Sequence, residues 1–122
     1  MQIDNGQNFS LPASVVLNGS GYGVIRVAPA GESWQVVFMT IQCDTNVNEA
    51  SFRVYSPILG DPYIKDTSEM GSTGDTSDTV YFLNDGQALF LEWSGGDAGT
   101  TARANLTYFK TVPENRGFRA FH

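Results

Sequence analysis

The sequence predicts an all-β domain, an antiparallel two-sheet β-sandwich, jelly-roll-like, with seven to eight strands. Three observations carry this expectation. Glycine, threonine, valine and aromatic residues are plentiful while lysine and leucine are few, an economy that suits pleated strands and tight turns. No window of about a dozen residues keeps a 3.6-residue apolar repeat, so the signature of an amphipathic helix is missing. Short apolar or alternating runs recur instead between clusters of Gly, Asn, Asp and Pro, at the spacing of sandwiches and barrels.

The runs fall in order along the chain. Strands are expected at 14–18, 22–28 and 34–43, separated by the turns Asn18-Gly19-Ser20-Gly21 and Pro29-Ala30-Gly31-Glu32. More are expected at 50–56, 79–83, 87–94 and 101–111, with a short eighth piece near 62–66. Asn84-Asp85-Gly86 and Ser94-Gly95-Gly96-Asp97-Ala98-Gly99 punctuate the later ones. Alternation assigns faces: Ala50, Phe52 and Val54 point one way and Ser51 and Arg53 the other, while Leu89, Leu91 and Trp93 oppose Ala88, Phe90 and Glu92. The 34–43 run is apolar on both faces, Trp34, Val36 and Phe38 against Val37, Met39 and Ile41. That pattern suits a central strand with a second contact on its outer side. The expected core is Trp34, Phe38, Phe52, Leu89, Leu91 and Trp93. Residues 57–78 lack a regular pattern and read as one long polar loop.

At 122 residues the chain is one domain, divided into a sandwich body, 1–113, and an Arg/Phe-rich C-terminal tail, 114–122. The net charge of −6 argues against a nucleic-acid partner, which needs a basic surface to displace counterions. No apolar run approaches the roughly 20 residues that span a bilayer, and Met1-Gln2-Ile3-Asp4-Asn5 has neither half of a signal peptide. Cys43 is the single cysteine, which excludes an internal disulfide; it reads as a small buried residue at a strand end.

The residues supply little chemistry. The one histidine, His122, ends the sequence, a poor place for a base that must be held against a substrate. No nucleophile elbow or phosphate-cradling loop is present, and Glu32 and Glu92 are carboxylates of a kind that any acidic chain contains. Asp61, Asp66, Glu69, Asp75 and Asp78 crowd one stretch, but their spacing matches no calcium loop, so no metal and no cofactor are expected. Trp34 and Trp93 sit in apolar alternation and are expected in the core rather than on a sugar-stacking surface. The tail is the segment that points to a partner: Arg116, Phe118, Arg119 and Phe121 combine the residue types that anchor protein interfaces. The final strand, 101–111, has a long neutral middle and is expected to form a sheet edge open to strand addition.

Several segments resemble a family of small β-sandwich virion structural proteins of tailed bacteriophages of actinobacteria. They are Pro29-Ala30-Gly31-Glu32-Ser33-Trp34, Asp66-Thr67, Gly74-Asp75-Thr76-Ser77-Asp78, Asp85-Gly86-Gln87-Ala88-Leu89 and Glu92-Trp93-Ser94-Gly95-Gly96-Asp97-Ala98-Gly99-Thr100. The resemblance implies a non-enzymatic component of the virion, made in the host cytoplasm. It would be a capsid decoration (cement) protein, oligomeric and docked on the major capsid protein or another virion protein, or else a tail- or fibre-associated module that binds host glycans. It supplies no binding residues.

Overall fold

The computed structural model describes residues 2–60, 64–70 and 74–112, with the backbone alone for 2–6, 69, 70 and 112, and every regular element in it is a β-strand. The strands are β1 (Gln2–Val16), β2 (Gly23–Val27), β3 (Ser33–Cys43), β4 (Ala50–Tyr55), β5 (Ile64–Met70), β6 (Asp75–Ser77), β7 (Tyr81–Leu83), β8 (Leu89–Ser94) and β9 (Thr101–Val112). Five form one antiparallel sheet, β1-β9-β3, with β6 and β7 pairing β3 at Met39–Ile41 and Trp34–Val36 respectively. The other four form a second antiparallel sheet in the order β2-β8-β4-β5. From β1 to β4 each connection carries the chain to the opposite sheet, the winding of a jelly roll.

Three expectations need correction. The stretch 57–78 is not one loop, because it contains β5 and β6. β5 adds to β4 through backbone pairing, Ser51 opposite Glu69 and Arg53 opposite Thr67, and such a ladder needs no apolar side chains. The first strand starts at Gln2 rather than near Ser14, although Asn, Gly and Pro interrupt it. The third correction follows from the second. β9 is no edge: β1 lies along one side of it and β3 along the other.

Hydrophobic burial between the sheets holds the fold together. Phe52, Val54, Leu89, Leu91 and Trp93 from the four-stranded sheet meet Val36, Met39, Ile41, Ala104 and Leu106 from the five-stranded one, all buried. The Phe52 and Trp93 rings are 4.9 Å apart and tilted by 55°, an edge-toward-face arrangement that aromatic quadrupoles favour. Toward the Lys110 end of the five-stranded sheet a second aromatic series forms: Trp34 stacks on Tyr108 at 4.1 Å, and Tyr108 on Phe9 at 5.4 Å. Lys110 Nζ lies 4.7 Å from the Phe9 ring centroid and 2.9 Å from Glu32 Oε2. One turn is fixed by close backbone approach. Gly21 has φ +72°, and a Cβ there would lie 2.0 Å from the Gly96 carbonyl oxygen, so only glycine fits.

Phe38 is the one expected core residue on the wrong side. It is 40% exposed, while Trp34, Phe52, Leu89, Leu91 and Trp93 are buried as expected. The cause is a β-bulge. Val36 pairs with Tyr108 but Phe38 pairs with Thr107, leaving Val37 as the extra residue. A bulge shifts every following side chain to the opposite face, so Met39, Ile41 and Cys43 turn inward and Phe38 outward.

Trp93→Ala is expected to cost about 3 kcal/mol in urea unfolding, the low end for a buried aromatic truncation, because the Trp93 indole N–H has no partner among the described residues and its removal deletes an unsatisfied donor. Phe38→Ser is expected to change stability by about 0.5 kcal/mol or less. A loss at Phe38 matching that at Trp93 would contradict the assigned faces.

Candidate interaction surface

The bulge at Val37 and the pairing of β3 gather aromatic side chains on the solvent side of the five-stranded sheet. Phe82 on β7 and Phe109 on β9 both pair with Gln35 on β3, and paired residues share a face. Tyr81 and Leu83 are buried while Phe82 is 53% exposed, which fixes that face as the outer one. Phe38 joins it further along β3, diagonally from Phe109 through Thr107. Val80, also exposed, sits just before β7. One half of the outer face therefore presents three phenylalanines.

The other half is a polar groove of about 750 Å³. Its floor is the outward row of Thr40 and Gln42 on β3, Asn105 and Arg103 on β9, and Pro12 and Ser14 on β1, with Asp75 and Thr76 at the rim. Arg103 is the one charge in the outward rows of β1, β9, β3 and β7 among the described residues, and it donates to Asp44 at 2.7 Å. The opposite outer face, on the four-stranded sheet, is charged: Arg26, Glu92 and Arg53 alternate outward on β2, β8 and β4. There Glu92 accepts from the Tyr22 hydroxyl at 3.0 Å and the Tyr55 hydroxyl at 2.9 Å. Burial first, and then this carboxylate, push both phenols above their ordinary pKa. The two sides of the sandwich thus differ in charge: three charged side chains stand in the outward rows of β2, β8 and β4, and one, Arg103, in those of β1, β9, β3 and β7 among the described residues.

Two turns that look conspicuous in the sequence prove to be clamps. Asp97, in the Gly-rich turn after β8, accepts from the backbone N–H groups of Asn46, Val47 and Asn48 at 2.7, 2.7 and 3.1 Å, and from the Asn48 amide at 2.9 Å. These bonds, the one from Val47 N–H foremost, hold its carboxyl far below the usual carboxylate range. The loop so fixed presents Val47, 82% exposed, at its tip. At the other clamp Asp85 accepts from Gly31 N–H at 2.7 Å and the Gly86 N–H donates to the Pro29 carbonyl. Glu32 accepts from the Trp34 indole at 2.7 Å, a bond that lowers its pKa, with help from Lys110.

The sequence-predicted docking residues Arg116, Phe118, Arg119 and Phe121 lie outside the described residues. Glu32 and Glu92, the two carboxylates singled out from sequence, are each engaged by aromatic donors in separate places. Asp66 and Asp75 accept from the Ser77 and Ser68 hydroxyls across β5 and β6, and no group of three or more His, Cys, Asp or Glu side chains converges among the described residues. Sequence reading did not bring Phe82 and Phe109 together, since that they share a face follows only from their common pairing with Gln35.

No known protein family matches the sequence, and no curated protein does. The fold is similar to that of a chain in the acidic stable capsid structure of Helicobacter pylori bacteriophage KHP30, with a TM-score of 0.62 and 14% identity, covering 88% of this chain and 91% of that one. The two chains are therefore alike in length as well as in fold.

Asp97→Asn should release the 44–49 loop, because an amide offers one acceptor oxygen where the carboxylate offers two. Amide exchange at Asn46, Val47 and Asn48 is expected to accelerate while the core strands keep their protection. The folded-state pKa is lowered, so the stabilisation is complete above the ordinary value of 3.8 and is lost as the pH falls through the folded value. The stability gap between wild type and variant should be constant above about pH 5 and shrink in acid. A gap that widens in acid would contradict the clamp.

Proposed function

We propose that this chain is a structural protein of a bacteriophage virion, a non-enzymatic capsid decoration (cement) protein that docks on the major capsid protein. The observation that supports it most is the likeness of fold, over nearly the full length of two chains of similar size, to a component of a phage capsid. A jelly-roll sandwich of this size is a rigid block whose function lies in its surfaces, and its surfaces here suit protein contact. A neutral aromatic patch with a polar surround is the usual anatomy of an interface.

The anchor in this reading is the C-terminal tail. Residues 1–113 carry five Lys or Arg against twelve Asp or Glu, whereas residues 114–122 carry two Arg against one Glu. The tail is thus the cationic end of an acidic chain. Phe118 and Phe121 would fill apolar pockets on the capsid protein, each worth roughly 1.5–3 kcal/mol if fully buried, with Arg116 and Arg119 on its carboxylates. Recognition of host glycans by a tail-associated module has less support. Trp34 and Trp93 are buried and the hydroxyls of Tyr22 and Tyr55 are engaged by Glu92, which leaves phenylalanines as the exposed rings of the aromatic patch.

The test compares the full chain with one ending at Pro113, on particles that lack the protein. The truncated chain should keep its melting temperature while its affinity for particles falls by a hundredfold or more, on the order of two lost Phe anchors. Gold-labelled antibody on whole virions should mark the shell. Label confined to the tail would overturn the decoration role, and full binding by the truncated chain would overturn the tail as anchor.

A further inference from the structure

The outer face of the five-stranded sheet has properties that point to a particular occupant. Phe38 and Phe82 are 40% and 53% exposed, and together with the half-buried Phe109 they occupy one end of a sheet face whose other end is polar. For a chain of net charge −6, contact between identical molecules sets like charges near one another on most surfaces. This face lowers that cost. Among the described residues the outward rows of β1, β9, β3 and β7 carry one charge, Arg103, paired with Asp44, and Asp75 stands at the rim of the groove rather than on its floor. We infer that this face is a contact between copies of this chain, with a second copy laid sheet on sheet across Phe38, Phe82 and Phe109.

Size and chemistry agree with this occupant. A sheet of this width, with strands about 4.8 Å apart and some nine residues long, offers roughly 550 Å² in plan, and its relief brings the accessible area near the ~800 Å² per partner of a stable interface. Two such faces pack about 10 Å apart, as sheets do within a sandwich. A two-fold arrangement makes the patch its own complement. The polar half supports self-contact too, since Thr40 and Asn105 each carry donors and acceptors and can pair with their own copies directly or through water held in the groove.

Strand addition is the poorer route to self-association. β9 is covered on both sides, and β1, the long edge of the same sheet, carries Pro12. A proline in an edge strand turns its missing N–H to the open side and blunts pairing there. At the edge of the other sheet, β5 carries Lys65 and Asp66, charges that serve the same end.

Sedimentation velocity on the full chain at tens of micromolar should give a multiple of 13.3 kDa. Because the rings lie outside the core, Phe38→Ser/Phe82→Ser should keep its strand circular dichroism, and four partly exposed rings removed from a two-fold contact should weaken self-association by roughly a thousandfold. Thr40→Glu, on the same face, sets two carboxylates across the contact. It should dissociate the assembly at low salt and recover part of it at about 1 M salt, where screening is short-ranged. Thr67→Glu, on the outer face of the other sheet, should leave the assembly unchanged. If the double variant fails to fold, Thr40→Glu decides. A wild-type chain that stays at 13.3 kDa, or both face variants assembling as wild type does, would overturn the inference. Loss of particle binding by the double variant with its self-association intact would overturn it too, by assigning the face to a different protein.

Discussion

The extra residue at Val37 is the constraint on which both the core and the exposed face depend. Upstream of it Trp34 and Val36 point inward; downstream, Met39, Ile41 and Cys43 do, opposite Leu106, Ala104 and Ala102 on β9. Unbroken alternation would send Phe38 into the core and expose Met39 and Ile41. The bulge lies where β3 passes from its pairing with β7 to its pairing with β6, so the ladder is already interrupted on that side and the irregularity costs few hydrogen bonds. One inserted residue thus keeps two halves of a long strand facing the core and places an aromatic ring on the outside.

Around this sheet the loops are held by carboxylates rather than by packing. Asp97 fixes the 44–49 loop, Asp85 ties the turn after β7 to the turn before β3, and Glu32 joins Trp34 to Lys110. These residues belong to turn segments that stand out in the sequence, and the geometry explains their spacing. Pro29–Trp34 meets Asn84–Gly86 on one side of the molecule, and the Gly-Gly-Asp turn meets the loop after β3 on the other. The pattern encodes how a small sandwich closes its turns. It is a scaffold signature, which accounts for the absence of a binding motif within it.

The sequence made some of this legible and hid the rest for physical reasons. β4 and β8 could be read with their faces because each alternates one apolar and one polar row. The bulge could not be seen, since Val37 and Phe38 are both apolar and either register fits the string. Of β5 only a short piece near 62–66 was expected, and β6 was missed, because edge strands are held by backbone pairing with β4 and β3, whatever their side chains. Phe9, Leu11, Ala13 and Val15 did alternate on β1, but Pro12 and the Asn and Gly around them read as loop. Missing that strand left β9 without a neighbour and made a central strand look like an edge. The 34–43 strand read as apolar on both faces, but which of its residues face outward, and that Phe82 and Phe109 share that face, required the register.

In the proposed assembly the largely uncharged, partly aromatic face of the five-stranded sheet is covered by a second copy while the ionic face of the other sheet stays in water. The direct measurement of that claim is NMR of the chain with labelled phenylalanines, in the presence of a soluble paramagnetic agent, over a dilution series. Phe52 should be shielded at every concentration, while Phe38 and Phe82 should be reached by the agent in dilute solution and become shielded as the protein is concentrated. A Phe38 signal as protected as Phe52 at the lowest concentration would contradict the register of β3, and with it the exposed face.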